Sequence, residues 1–324
     1  MSHDVAFHSQ NAPPHEEIEM GKRLHVVDSE RCNGDGLCTK VCPRGVIELL
    51  DEVATTVPGR ADSCIGCGQC VAVCPTEALQ LRTIPDEDFE RLERPSVGYD
   101  EFLSFLRTRR SVRLFKDKPV DRETTAKILA AAATAPMGFP PHGTEVVVID
   151  EPDELAYLLE ALVGHYDRLL ERYSNPIGRA FIRLATGREV FGELRDHVVE
   201  AATAANQAYR QDGSDRYMWG APVLMLFHAS RWRPSYRESA HLVCHHAMLA
   251  ALSLGLGSTI IGMIPPVVQR SNELRVRYGI PDENKVLTSL ILGHAKFRFR
   301  RGIRRDLAEV RFNARVRSVQ GASP

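Results

Sequence analysis

The chain has almost no net charge, a single cysteine outside one short stretch, and no apolar run near its start. Its 324 residues carry 41 basic and 42 acidic side chains, a formal charge of −1. That balance gives neither nucleic acid nor an anionic membrane surface anything to hold, so neither is expected as a partner. Residues 1–22 are polar and contain prolines, which predicts no signal peptide there. Seven of the eight cysteines lie between Cys32 and Cys74. Spaced as metal ligands, they point to a reducing, cytoplasmic setting and not to a disulfide framework. One stretch lacks charge for long enough to span a bilayer: His241 to Gln269 contains no Asp, Glu, Lys or Arg. His245, His246, several glycines and Pro265-Pro266 interrupt it, and no second run accompanies it. A buried helix followed by an apolar loop is expected there.

Cys64-Ile65-Gly66-Cys67-Gly68-Gln69-Cys70-Val71-Ala72-Val73-Cys74-Pro75 has the spacing C-x-x-C-x-x-C-x-x-x-C-P. Three thiols on a tight loop can wrap one cubane iron–sulfur cluster, while the fourth, before the proline, points away to serve a second. A zinc knuckle is the plainer alternative, but it takes two C-x-x-C pairs around one tetrahedral ion. An earlier copy, Cys32 to Pro43, keeps the glycines, a valine and the proline in register. The repeat resembles the bacterial two-cluster ferredoxins, in which each half lends its last cysteine to the other half's cluster. The resemblance implies that Cys64, Cys67, Cys70 and Cys42 hold one 4Fe-4S cluster and that Cys32, Cys38 and Cys74 hold the other. Asp35 stands where that second set should have a cysteine. A carboxylate is a harder ligand than thiolate and suits iron in a sulfide cluster less well. The iron facing Asp35 is expected to be labile. The carboxylate holds it, or it is lost to leave a 3Fe-4S cluster, or water ligates it while Asp35 merely caps the loop.

The chain divides into a flexible lead over 1–22, a ferredoxin-like unit over 23–84, a charged, proline-bounded connector over 85–97, and a second unit over 98–324. The second unit alternates helical and strand signals. Helices are expected over Tyr99–Arg107, Arg122–Ala135, Glu154–Tyr173, Ala180–Arg210 and Ala240–Leu254. Strands are expected at Glu145–Ile149, Pro222–Phe227 and Val286–Leu292. The implied class is α+β, with long helices on a modest sheet.

Arg109-Arg110-Ser111-Val112-Arg113 places three guanidiniums and a hydroxyl within five residues, a set able to clamp a phosphate and hydrogen-bond a flavin's side chain and ring edge. A solvated basic helix end is the plainer reading. The segment resembles the opening cofactor-binding segment of the FMN-dependent nitroreductase family. Gly255-Leu-Gly-Ser-Thr-Ile260-Ile261-Gly262 is similar to that family's stretch lying along the flavin ring, where glycine lets main chain approach a flat cofactor. A dinucleotide fingerprint would need a following helix and another glycine spacing. The basic run Lys296–Arg305, with Arg301 and Arg305, resembles the family's closing segment, which returns to the flavin phosphate. Pro136-Met137-Gly138 opens a loop that in relatives reaches the flavin of the partner subunit. In that loop Pro140 and His142 replace the usual Asn and Gln, which alters the polar contacts and substrate preference.

Together the resemblances imply an FMN-dependent, homodimeric oxidoreductase, fed through two iron–sulfur clusters, that reduces a small organic acceptor. The external donor is a low-potential carrier or NAD(P)H. Reductive dehalogenation or substrate oxidation on the same fold, a non-enzymatic electron carrier, and a zinc- or nucleic-acid-binding regulator are the alternatives. His241, Cys244, His245 and His246 share a helix without the glutamate of H-E-x-x-H, and read as core or dimer-interface residues. Tyr217 and Trp219 read as packing at the start of a strand.

Overall fold

The structure is a computed structural model and describes residues 24–93, 96–138 and 143–310. The expected flexible lead and the loop positions Pro140 and His142 lie outside the described residues. The N-terminal part is built from short elements. Strand β1 (His25–Val27) pairs antiparallel with β4 (Leu79–Leu81), and β2 (Ile47–Leu50) with β3 (Val53–Thr56). Single-turn helices α1 (Leu37–Val41) and α2 (Gln69–Ala72) each follow a glycine, Gly36 and Gly68, in the left-handed region at φ 66° and 69°. Glycine adopts that conformation without steric cost, so each cysteine loop can turn straight into its helix. The connector has one 3₁₀ turn, Asp86–Asp88.

The second part is a four-stranded antiparallel sheet in the order β5-β6-β8-β7, with helices on both faces. Its elements in chain order are α3 (Tyr99–Thr108), α4 (Arg122–Ala133), β5 (Thr144–Ile149), α5 (Pro152–Ser174), α6 (Pro176–Glu193) and α7 (Val199–Asp212). After these come β6 (Val223–Ser230), α8 (Tyr236–Ser253), β7 (Gly257–Ile260), α9 (Pro265–Arg270), α10 (Asn272–Arg277) and β8 (Asn284–Gly293). β6 is apolar at nearly every position because both its faces are covered. Val223, Met225 and Phe227 pack with Ala240, Val243 and Ala247 of α8, while Leu224 and Leu226 pack with Leu158 and Leu162 of α5. That is the two-residue alternation of a strand.

The structure corrects three expectations. The uncharged stretch after α8 is no loop: it supplies edge strand β7 and then α9. Nor is α8 wholly buried, since His241, Leu242 and His245 face solvent. Tyr217 is core, stacked on Tyr166 with its hydroxyl donating to Asn206 Oδ1 at 2.6 Å. The helix expected over 180–210 is broken. Gly187 leaves helical geometry at φ 80°, and a π-helical turn spans Leu194–Val198. No helix among the described residues is long and apolar enough to cross a membrane.

A buried histidine gives this part a pH dependence. His228 Nδ1 lies 2.8 Å from Asn284 Nδ2, which also donates to Glu145 Oε1 at 2.7 Å. Burial pushes His228 below the usual 6.5, against the pull of Glu145, and burial together with Arg270 does the same to His165. The unfolded chain therefore binds protons that the fold resists. Stability is complete above pH 6.5 and declines as pH falls below it. Both tryptophans, Trp219 and Trp232, belong to this part. Urea unfolding read by their fluorescence should show a lower midpoint at pH 5.5 than at pH 7.5, and His228→Gln should reduce the difference, leaving the share of His165.

Candidate functional site

The seven clustered cysteines sort into two groups. Cys42, Cys64, Cys67 and Cys70 line one hollow. Cys32, Cys38 and Cys74, with Asp35, line another. Cys42 thus stands with the three thiols of the later motif, and Cys74 with the thiols of the earlier one. The electrostatics agree: burial raises the Cys70 thiol to about 12, and Cys64, Cys67 and Cys42 add to it. Cys38 is raised by burial and, to a lesser extent, by Cys32 and Cys74.

All seven thiols are free. Among the described residues, no three His, Cys, Asp or Glu side chains gather closely enough for a single metal ion. A triple C-x-x-C-x-x-C loop joined by a distant fourth thiol suits a cubane cluster better than tetrahedral zinc, which takes two C-x-x-C pairs. Ligating thiols must be deprotonated, and the fold supplies donors for that. Val46 N–H points at Cys42 Sγ and Ala78 N–H at Cys74 Sγ, each at 3.4 Å and each four residues beyond its cysteine. The two donors repeat in register with the cysteines. At Cys74 the Thr76 hydroxyl and the Ala78 N–H, with the Thr76 and Leu79 backbone, hold the thiol below its usual value despite burial. Asp35 lines its hollow, but its Oδ1 accepts the Leu37 N–H at 2.9 Å, at the start of α1.

The basic residues form a second candidate site. α3 ends at Thr108, and the segment after it runs beside β7. Ser111 bridges Ser258, and Val112 N–H donates to Ser258 O at 3.0 Å. A Cβ on Gly257 would fall 2.7 Å from Val112, so only glycine lets the two backbones approach this closely. The chain after β8 closes the other side, with Phe115 bridging Ala295 and Lys296 N–H donating to Leu114 O.

These pairings bring Arg109 and Arg110 to a hollow of about 1040 Å³ that Arg107, Arg304 and Arg305 also line. Arg301 lines the adjoining hollow, with Arg107 and Arg304. Arg110 Nη1 donates to Arg109 O, whereas its buried Nη2 has no partner. Ser111, Arg113, Ile260 and Gly262 are exposed, and Ile261 is buried. Pro136, Met137 and Gly138 do not line either hollow within one chain. Gly138 is tied instead to the start of α8, its N–H donating to Ser239 Oγ at 3.0 Å. Arg107 and Arg304 were not singled out from the sequence. Their signal was position alone, two residues before Arg109 and one before Arg305.

An orphaned guanidinium nitrogen at the mouth of an arginine-lined hollow fits a phosphate, which presents several acceptor oxygens. The model of the nitroreductase family matches residues 106–294, more than half of the chain. The chain belongs to the nitroreductase family. It is an oxidoreductase, and a 4Fe-4S dicluster domain matches residues 24–75 ahead of the nitroreductase part. A protein of Archaeoglobus fulgidus, whose name joins NADH dehydrogenase with NAD(P)H nitroreductase, is 23% identical over 197 residues, 61% of this chain and 87% of its own. Two solved structures are also similar. The nitroreductase of Bacteroides fragilis NCTC 9343 with bound FMN is 19% identical, with a TM-score of 0.49 over 66% of this chain and 99% of its own. That of Desulfitobacterium hafniense DCB-2, also with bound FMN, is 20% identical, with a TM-score of 0.46 over 65% of this chain and 96% of its own.

Proposed function

We propose that this nitroreductase-family chain takes electrons from an external donor through two N-terminal iron–sulfur clusters and delivers them, by way of FMN, to a small organic acceptor. The observation that carries the reading is the crossed sorting of Cys42 and Cys74 into two thiol-lined hollows, ahead of a nitroreductase part. The units of the reading are a ferredoxin-like domain over 23–84, a connector over 85–97 and an FMN domain over 98–324. When bound, the clusters supply one-electron relay and the flavin supplies the step to a two-electron acceptor.

The chain's own groups bind and orient. Arg109, Arg110, Arg301 and Arg305 take the flavin phosphate and ring edge. Ser111 and Arg113 hold its polar side, and Ile260, Ile261 and Gly262 carry the ring. Pro136, Met137 and Gly138 serve the flavin of a second copy. A homodimer is supported by large apolar side chains left bare after β8, Phe297 at 64% exposure and Leu307 at 78%. A fused donor module keeps electrons at high effective concentration near the flavin, which favours a low-potential carrier over NAD(P)H as the donor.

Oxygen-free purification with iron, sulfide and flavin quantitation tests the reading. About seven or eight irons and one FMN per chain are expected. Protein free of both flavin and acid-labile sulfide would overturn it. Reduction by ferredoxin compared with NADPH then identifies the donor class. Because Asp35 Oδ1 is engaged by the Leu37 N–H, the corner of the cluster beside it is the labile one. Asp35→Cys should raise the iron count by about one and change the EPR spectrum. An unchanged count and spectrum would sink the three-iron version.

A further inference from the structure

β1 runs between the two thiol-lined hollows. Side chains two apart on a strand share a face. His25 lines the hollow of Cys42, Cys64, Cys67 and Cys70, and Val27 lines that of Cys32, Cys38 and Cys74. One strand thus offers a polar ring to the first set and an aliphatic side chain to the second. His25 is 3% exposed, and its Nδ1 lies 2.9 Å from Thr56 Oγ1 on β3. Its Nε2 is buried with no partner. A buried ring nitrogen left unpaired is costly, so its position on the hollow of the four thiols calls for an acceptor there.

We propose that His25 is a positioning and tuning residue: its Nε2–H donates a hydrogen bond to a sulfur of the cluster held by Cys42, Cys64, Cys67 and Cys70. This makes that cluster easier to reduce than it would be without the bond. The inference rests on the iron–sulfur reading above. Thiolate and sulfide sulfurs are acceptors only, so the Nε2 side must carry the proton, and Nδ1 takes the hydrogen of the Thr56 hydroxyl. Thr56 thereby fixes one tautomer of a neutral imidazole. Reduction adds one electron to the cluster, supplied by the external donor, while the imidazole keeps its proton throughout. A donor to sulfur stabilises the more negative, reduced cluster, and hydrogen bonds to the sulfurs are one of the protein's levers on potential. Val27 offers no such donor to the other cluster.

The test is an EPR-monitored potentiometric titration of the full chain, alongside iron and sulfide counts. In His25→Leu, one midpoint should fall so that the reduced-to-oxidised ratio at a fixed potential drops about tenfold, about 59 mV for a one-electron couple. The other midpoint should stay in place. His25→Gln, which keeps an N–H donor, should recover most of the shift, and Thr56→Val should give a smaller fall at the same cluster. In wild-type protein labelled with ¹⁵N only in histidine imidazoles, pulsed EPR of the reduced cluster that the Cys42→Ser chain lacks should show one ¹⁵N coupling. That measurement decides the matter even where the substitutions prevent cluster assembly.

Midpoints unchanged in His25→Leu, equal shifts at both clusters, or no ¹⁵N coupling in the wild type would each overturn the inference. A wild-type chain without iron and sulfide would instead overturn the reading on which it rests, so the two failures are distinguishable.

Discussion

Cys42→Ser is expected to leave the cluster of its own loop in place and to abolish the one held by the loop of Cys64, Cys67 and Cys70. Cys42 lines that later hollow, while Cys74 lines the earlier one with Cys32 and Cys38. A serine oxygen is a harder and weaker ligand for iron in a sulfide cluster, so the vacated corner destabilises the whole cubane. Iron should fall by about four per chain, the count of one cluster. The surviving EPR signal should match that of a Cys70→Ser chain. Cys74→Ser should give the complementary spectrum, matching Cys38→Ser. If Cys42→Ser instead paired with Cys38→Ser, the crossed arrangement would be wrong. Flavin content should not change in any of the four. Both thiol sets share one small core, in which Cys38 and Cys70 pack with Val46, Ile47, Ala54 and Leu79. The surviving cluster should therefore be lost at a lower temperature than in the parent.

The cluster site was legible because its geometry is mostly local. Three cysteines within seven residues must stand close together, and the resemblance of the Cys32–Cys64 repeat to two-cluster ferredoxins supplied the crossing that spacing alone does not. Strand β6 was legible for a different reason: a run apolar at every position is what a sheet covered on both faces requires. Edge strand β7 was not. Gly257–Ile260 is glycine-containing and short, and it becomes a strand only through β8 and the bridge to Ser111, contacts made far away in sequence. The break at Gly187 and the π-helical turn after it likewise follow no period that a sequence shows. Arg107 was missed because α3 reads as an amphipathic helix, in which a basic residue near the C-terminal end has an ordinary place beside the last carbonyls. His25 belongs to no motif. Its value lies in an unpaired nitrogen, which no pattern of residue types reveals.

The same kind of orphan decides the flavin end. Arg110→Leu is expected to weaken FMN binding at least about 30-fold while leaving the apoprotein as stable as the parent, or more stable. These opposite signs follow from one atom. Arg110 Nη1 is satisfied by Arg109 O, but Nη2 is buried without a partner, so the ligand-free fold bears an unpaid desolvation cost. Leucine removes that cost and keeps apolar bulk beside Leu103 and Leu106, which line the same hollow. With a phosphate present the balance reverses, because a guanidinium and a phosphate form paired, charge-assisted hydrogen bonds. Truncating one partner of a buried charge pair of this kind typically costs about 2–5 kcal/mol, which at 25 °C is roughly 30-fold or more in affinity. Arg110→Lys should recover little, since an ammonium cannot donate both bonds of the fork. Titration of apoprotein with FMN by fluorescence quenching gives the affinity, and urea unfolding of the same apoprotein gives the stability. A variant that loses affinity and apoprotein stability together would mean that Arg110 braces the segment between α3 and α4 instead of receiving the cofactor.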